Sequence, residues 1–297
     1  MSTSRSSPQG SVLTVVFGPE MVAVAEGSFS PSAGKPAQVV ADWAAVGLPL
    51  RVLAPEPVSV DVLALAHDRA YVEDVLAGRR PNGFGNVSTL IAASLPYTTG
   101  AMLTAARLAV REGGAVCAPV SGFHHAGWES AYGYCTFNGL VVTARALLAE
   151  GLVRRVLILD CDQHYGDGTD EILGHLGVGD AIAHFTAGEG FDRPVQVETF
   201  FKRLGSVLEE HAGVDAILYQ AGADPHVRDP LGGWLTTEQL RRRDAFVFEQ
   251  AAARGIPLVW NLAGGYQRDK TGGIEPVLEI HRNTAREHLR VFGPTPA

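Results

Sequence analysis

Basic residues are in the minority, with 24 Lys and Arg against 32 Asp and Glu in 297 residues, a formal charge of -8. Nucleic-acid binding draws most of its affinity from a basic surface, so that class is excluded, while cationic substrates stay compatible. Cysteine is scarce and odd in number. Cys117, Cys135 and Cys161 lie in or beside apolar segments, which excludes a disulfide framework and reads as small core hydrophobes in a reducing, cytoplasmic setting. No apolar run approaches the ~18 residues needed to cross a bilayer, so no membrane span is expected. The opening MSTSRSSPQGS lacks the apolar block of a secretory signal. We expect a disordered tail over residues 1–11 and a single catalytic domain over 12–297, since no long linker or repeat interrupts the chain.

What is present is an apolar fraction of 46%, ample for a core, and a recurring pattern within it. The run beginning at Val156 (VLILDCDQHYGDGTD) passes from four apolar residues into acids and a histidine. A short continuous apolar run reads as a strand buried on both faces, as in a parallel sheet, and such strands present their C-terminal ends to ligands. The same transition recurs three times. Ala115 to Val120 leads into Gly122, Phe123 and His124-His125; Ala216 to Tyr219 leads into Gly222 and Asp224; Pro257 to Leu262 leads into Gly264, Gly265 and Tyr266. If the strands are parallel, all four ends meet on one rim.

Helical patterns fill the intervals, as parallel strands require crossover connections. We expect helices over Lys35 to Val46, Ser59 to Leu76, Thr89 to Arg111 with a break or kink at Pro96, Asn138 to about Glu150, Val195 to Glu210, a capping box at Thr236 and Gln239 running to Arg254, and Ile274 to Val291. Pro81 to Ser88, Phe185 to Pro194 and Asp224 to Trp234 read as rim loops. The fold class is therefore α/β, a central parallel sheet flanked by helices on both faces.

Asp162 and His164 are two residues apart, so in an extended segment both reach one side and bind one ion. With Asp224 they form three ligands, leaving a fourth tetrahedral position open, which is the arrangement of a catalytic zinc site. Two carboxylates and an imidazole are also compatible with ferrous iron or manganese. Asp160 and Asp167 are spare carboxylates that could orient the paired histidines for acid and base work. Tyr266 offers a hydroxyl donor to a developing oxyanion. Together these parts describe metal-assisted hydrolysis of an amide. His67, His175, His211, His226, His281 and His288 lack such a context and read as surface or helix residues; the run Arg241, Arg242 and Arg243 reads as a solvated helix face.

In its motifs the chain resembles the histone deacetylase and acetylpolyamine amidohydrolase family, whose fold is the arginase-like α/β sheet. The motifs are SGFHHAG from Ser121, GYCTFNGL from Gly133, LDCDQHYGDGT from Leu159, AGAD from Ala221 and AGGY from Ala263. That resemblance implies zinc ligands Asp162, His164 and Asp224, one ion per chain, and Tyr266 bonding the substrate carbonyl. It implies His125 as general base and then acid, partnered by Asp167, and His124, oriented by Asp160, beside the attacking water. Tyr134 and Phe191 would line a narrow channel for an acyl-lysine or acyl-amine substrate. A potassium ion behind the zinc, held through Asp160, also belongs to what the resemblance allows. Two departures stand out: PNGFGNVS at Pro81 offers Asn82 or Asn86 where lysine deacetylases of the family commonly place an acid, and Ala263 replaces a glycine of many members.

Two other functions fit parts of the pattern. One is a ureohydrolase of the arginase fold using two manganese ions, which requires more bridging acids than the motifs supply. The other is a sensor that binds acyl-amines without turnover, for which a placed base and oxyanion donor would be superfluous. An oligomer is neither required nor excluded.

Overall fold

A computed structural model describes residues 12–293. The tail expected over 1–11 therefore lies outside the described residues, as does 294–297. Seven strands form one parallel sheet in the order β2-β1-β3-β7-β6-β4-β5. They are β1 (Leu13–Val16), β2 (Leu50–Leu53), β3 (Ala115–Ala118), β4 (Val156–Asp160), β5 (Ile182–Thr186), β6 (Ala216–Gly222) and β7 (Leu258–Ala263). The four strands expected from the sequence are consecutive neighbours, β3-β7-β6-β4, and are the most deeply buried. The three not anticipated lie outside them: β2 and β5 are half-exposed edges whose residues do not form continuous apolar runs, and β1 is only four residues long.

Period-two alternation divides the sheet between two cores. Val156 and Ile158 face a layer made by α2 (Val60–Leu63), α3 (Arg69–Leu76), α4 (Thr89–Glu112), α5 (Gly139–Ala149) and α6 (Asp167–Leu176). Leu157 and Leu159 face α1 (Lys35–Ala45), α7 (Val197–Glu210), α8 (Thr237–Arg254) and α9 (Glu275–Phe292). Among the described residues no helix is long and apolar enough to cross a membrane.

Local chemistry explains most helix boundaries. Asn138 caps α5 by accepting from the Val141 amide at 3.1 Å, and Thr236 with Gln239 closes the capping box of α8. The segment Ser59 to Leu76 is two helices rather than one, because Asp68 starts a second cap on the Tyr71 amide. Conversely, α4 runs unbroken through Pro96. Its Ile91, Leu95, Met102 and Leu103 are buried against the sheet, and that burial outweighs the roughly 3 kcal/mol a helix-interior proline costs. Phe185 and Thr186 belong to β5, so the following rim loop starts later than expected.

Candidate metal centre and active site

The parallel register places the ends of β3, β7, β6 and β4 side by side, and each hands the chain to a reactive residue. Asp162, His164 and Asp224 each bring one donor atom into a group whose members all lie within 4.8 Å of one another. His164 Nδ1 is 3.1 Å from Asp162 Oδ1 and 3.0 Å from Asp224 Oδ2. Both carboxylates are buried. Close approach of the strands depends on glycine: a Cβ on Gly222 would sit 2.6 Å from Asp162 Cα, and one on Gly264, at φ +48°, would sit 2.1 Å from Asp224 Cγ.

Two buried carboxylates converging on one imidazole form a site that requires positive charge. The His164 ring N–H, donating toward the carboxylates of Asp162 and Asp224, holds its proton, and the pKa of His164 is raised to about 11. Burial, reinforced by the charge of Asp162, raises Asp224 to about 7. Asp162 is held below the usual carboxylate range, since the charges of His124 and His164 overcome the burial that opposes them. Asp224 Oδ2 is buried and receives no well-directed hydrogen bond, although His164 is close. An unpaired anionic oxygen aimed at two other donors is what a divalent cation satisfies, so the residues present fit a metal.

The paired histidines diverge in charge. His124 Nδ1 lies 2.6 Å from Asp160 Oδ2 at a fully buried position. Burial pulls its pKa down, but Asp160 and Asp162 prevail and raise it to about 9. Asp160 is itself held by Asp162 N at 3.0 Å and Gln220 Nε2 at 2.8 Å. His125 Nδ1 lies 2.7 Å from Asp167 Oδ1. Its pKa is lowered by burial and by the charge of His124, against the pull of Asp167. At neutral pH the first ring is therefore cationic and the second neutral, with Nε2 free to accept a proton.

Tyr266 is buried, its amide donating to Asp229 Oδ2 at 2.8 Å and its ring stacked on Phe29. Burial, then the charges of Asp224 and Asp162, raise its pKa, so its hydroxyl stays a donor. Tyr134 stands 6.0 Å from Tyr266 between ring centroids. Its backbone adopts φ 66°, strained for a residue with a side chain, and its amide donates to Gly83 O at 2.9 Å. A cavity of about 10 Å³ touches His124, His125, Asp162, Tyr134 and Tyr266. It meets an entrance of about 440 Å³ walled by Phe84, Tyr132, Tyr134, Leu231 and Tyr266.

Phe191 is not in either wall. Its ring packs on Phe200 at 5.3 Å and Trp234 at 6.0 Å, because the loop after β5 folds back onto α7; Phe84 and Leu231 stand at the entrance instead. His67 and His226 are buried rather than superficial. His67 accepts from the Asn138 amide through Nε2 at 2.8 Å and contacts Gly127 O at 2.9 Å through Nδ1, tying the cap of α5 to the loop beyond the histidine pair. His226 meets Thr237 at 3.0 Å. His281 and His288 lie in α9 as expected but are buried; His175 is exposed.

Sequence reasoning missed two cations. Arg243 is fully buried, not part of a solvated face, and donates to Gly222 O at 2.7 Å and Cys161 O at 3.1 Å while pairing with Asp244. One guanidinium thus joins the backbone beside Asp162 to that leading to Asp224. Lys35 is also fully buried, and its Nζ donates to Gly264 O. Burial lowers its pKa to about 8 against the raising charges of Asp224, Asp162 and Asp229. Nothing local distinguishes either residue from a surface cation. Their only signal is spatial.

The model of the histone deacetylase domain matches residues 35–178 and 180–275. An uncharacterized protein of Picosynechococcus is 29% identical over 235 residues, covering 70% of this chain and 76% of its own length. Histone deacetylase 2 of Arabidopsis thaliana is 28% identical over 209 residues, 64% of this chain, and the match spans only 53% of that longer protein. The crystal structure of acetylpolyamine aminohydrolase from Burkholderia pseudomallei superposes with a TM-score of 0.67 at 21% identity, covering 93% of this chain and 98% of that one. The last likeness shows the arginase and deacetylase fold, and the domain match, with the five motifs converging on one rim, shows the lineage: this chain belongs to the histone deacetylase family.

Proposed function

We propose that the chain is a zinc-dependent amidohydrolase that removes the acyl group from an acyl-lysine or acyl-amine, releasing a carboxylic acid and an amine. The observation that carries this reading is geometric: the donor atoms of Asp162, His164 and Asp224 lie within 4.8 Å of one another, and one cavity is lined by Asp162 together with His125 and Tyr266. Asp162, His164 and Asp224 would hold the ion, and a bound zinc would supply Lewis acidity toward the carbonyl and lower the pKa of water.

The protein's own residues then have distinct tasks. His125, aligned by Asp167 through Nδ1, takes a proton from the attacking water on Nε2 and later delivers it to the departing nitrogen. The Tyr266 hydroxyl donates to the carbonyl oxygen as negative charge develops there. His124, hydrogen-bonded to Asp160, adds positive charge beside His125, whose ring centroid is 4.1 Å away, and keeps that neighbour neutral by repulsion. The entrance is lined by Phe84, Tyr132, Tyr134, Tyr266 and Leu231 together with His125 and His164, and no carboxylate lines it, which favours an apolar stem such as that of lysine over a polycation. A potassium ion beside Asp160 rests on the family resemblance. A two-manganese ureohydrolase is disfavoured: among the described residues one three-donor group is found, and Asp160 is committed to His124.

A fluorogenic acetyl-lysine amide tests the proposal. Turnover should be lost to a chelator and restored by zinc, with the metal content of the protein measured in parallel. Hydrolysis of a guanidino compound with two manganese ions per chain, or acyl-amine binding without acid release, would replace it.

A further inference from the structure

Between the donor His164 and Asp167, the partner of His125, the chain turns through Tyr165 and Gly166 alone before α6 begins. A shift of this turn displaces the carboxylate behind the base. Asp170, one helical turn beyond Asp167, grips the turn from two sides: its Oδ2 accepts from the Tyr165 hydroxyl at 2.5 Å, and its Oδ1 accepts from His184 Nδ1 on β5 at 2.7 Å. We propose that Asp170, with Tyr165 and His184, is a positioning residue for the reaction: it clamps the turn to the sheet and so fixes Asp167 behind His125. The inference rests on the amidohydrolase reading and extends it to three residues, none of which lines the cavity or its entrance.

Geometry supports the assignment. The Asp167 carboxylate is half exposed, so its position comes from the backbone that carries it rather than from burial. On the histidine side that backbone is pinned by Thr169 N, which donates to His124 O at 2.9 Å. On the ligand side it lies against β5. Gly166 N donates to Thr186 Oγ1 at 3.1 Å, and the buried ring of His184 packs so close that a Cβ on residue 166 would sit 3.0 Å from its Cε1 and 2.9 Å from Asp160 Oδ2. Glycine gives the turn little stiffness of its own. Asp170 supplies it by joining the exposed side chain of the turn, Tyr165, to the buried one behind it, and a carboxylate gripped at both oxygens cannot rotate without losing a donor. The hydrogen bond from His184, with that from Tyr165, holds the Asp170 carboxyl below the usual range against its partial burial, so at neutral pH it accepts from both.

The test uses the zinc-loaded protein and a fluorogenic acetyl-lysine amide. Asp170→Ala frees both partners, and kcat should fall by about 10- to 100-fold with KM within about twofold, since a misaligned base loses turnover rather than binding. Asp170→Asn keeps an oxygen for His184 and an amide that donates to the Tyr165 oxygen, so kcat should return to within about threefold of the wild type. Tyr165→Phe removes one grip at an exposed position and should lower kcat by about 3- to 10-fold. Hydrogen exchange read by mass spectrometry follows the turn without turnover: amides of residues 164–168 should exchange about tenfold faster in Asp170→Ala than in the wild type or Asp170→Asn. Should Asp170→Ala fail to fold, Tyr165→Phe carries the same comparison. Unchanged kcat and exchange, an effect confined to KM, or equal losses in Asp170→Ala and Asp170→Asn overturns the positioning role and leaves the amidohydrolase reading standing. No hydrolysis by the wild type overturns that reading together with it.

Discussion

Replacing Tyr266 by phenylalanine removes one oxygen from the proposed reaction and, by the structure, almost nothing from the fold. Among the described residues the Tyr266 hydroxyl has no protein hydrogen-bond partner, whereas the ring stacks on Phe29 at 5.8 Å and the backbone amide is held by Asp229. Phenylalanine retains both contacts. Stability should change by no more than about 0.5 kcal/mol, since no hydrogen bond is broken. The developing oxyanion, by contrast, would lose a preorganised donor in a buried site. Loss of one such donor costs about 10² to 10³ in kcat, or roughly 3 to 4 kcal/mol of transition-state stabilisation. The assay compares kcat and KM of wild type and Tyr266→Phe on the best acyl-lysine amide, with metal content by elemental analysis and thermal unfolding on the same samples. A fall in kcat below about fivefold with the metal retained would refute the oxyanion role. A fall accompanied by metal loss would show instead that Tyr266 supports the donor group.

Three further outcomes follow from individual contacts. Arg243→Met should destabilise the protein by about 3 to 5 kcal/mol in denaturant titration, because Asp244 is left buried without its cation and Cys161 O and Gly222 O lose their shared donor. Gly264→Ala, which forces a methyl into the Asp224 carboxylate at a positive φ, should abolish metal retention in equilibrium dialysis while a surface substitution such as Glu238→Ala leaves it intact. Burial lowers the pKa of His67 from 6.5 to about 4, so its neutral form contributes fully above pH 6.5 and the contribution disappears as pH falls toward 4. The associated loss is about 3 kcal/mol, and the pH dependence of unfolding should flatten across that window in His67→Gln.

How far the site was legible depended on whether each residue's role is written next to it in the chain. The β4 strand declares itself through five buried residues in succession, and the acids that follow occupy a strand end wherever such a strand lies in a parallel sheet. The same holds for His124 and His125 after β3, Asp224 after β6 and Tyr266 after β7. The edge strands β2 and β5 escaped notice because half-exposure removes the continuous apolar run that identifies a buried strand. Phe191 shows the opposite failure, an aromatic residue in a rim loop whose neighbours in space, Phe200 and Trp234, draw it away from the entrance.

The sequence by itself determined the parallel α/β plan and the strand ends that carry Asp162, His164 and Asp224 as candidate donors, because these follow from periodicity and from short apolar runs that end in reactive residues. Only the tertiary structure decided which cations are buried and what they hold. Lys35 reaches Gly264 across 229 positions, and Arg243 reaches Cys161 across 82. A charge so placed looks, in the chain, like any solvated lysine or arginine. Its burial is stabilised by carbonyls and carboxylates that arrive only when distant strands pack.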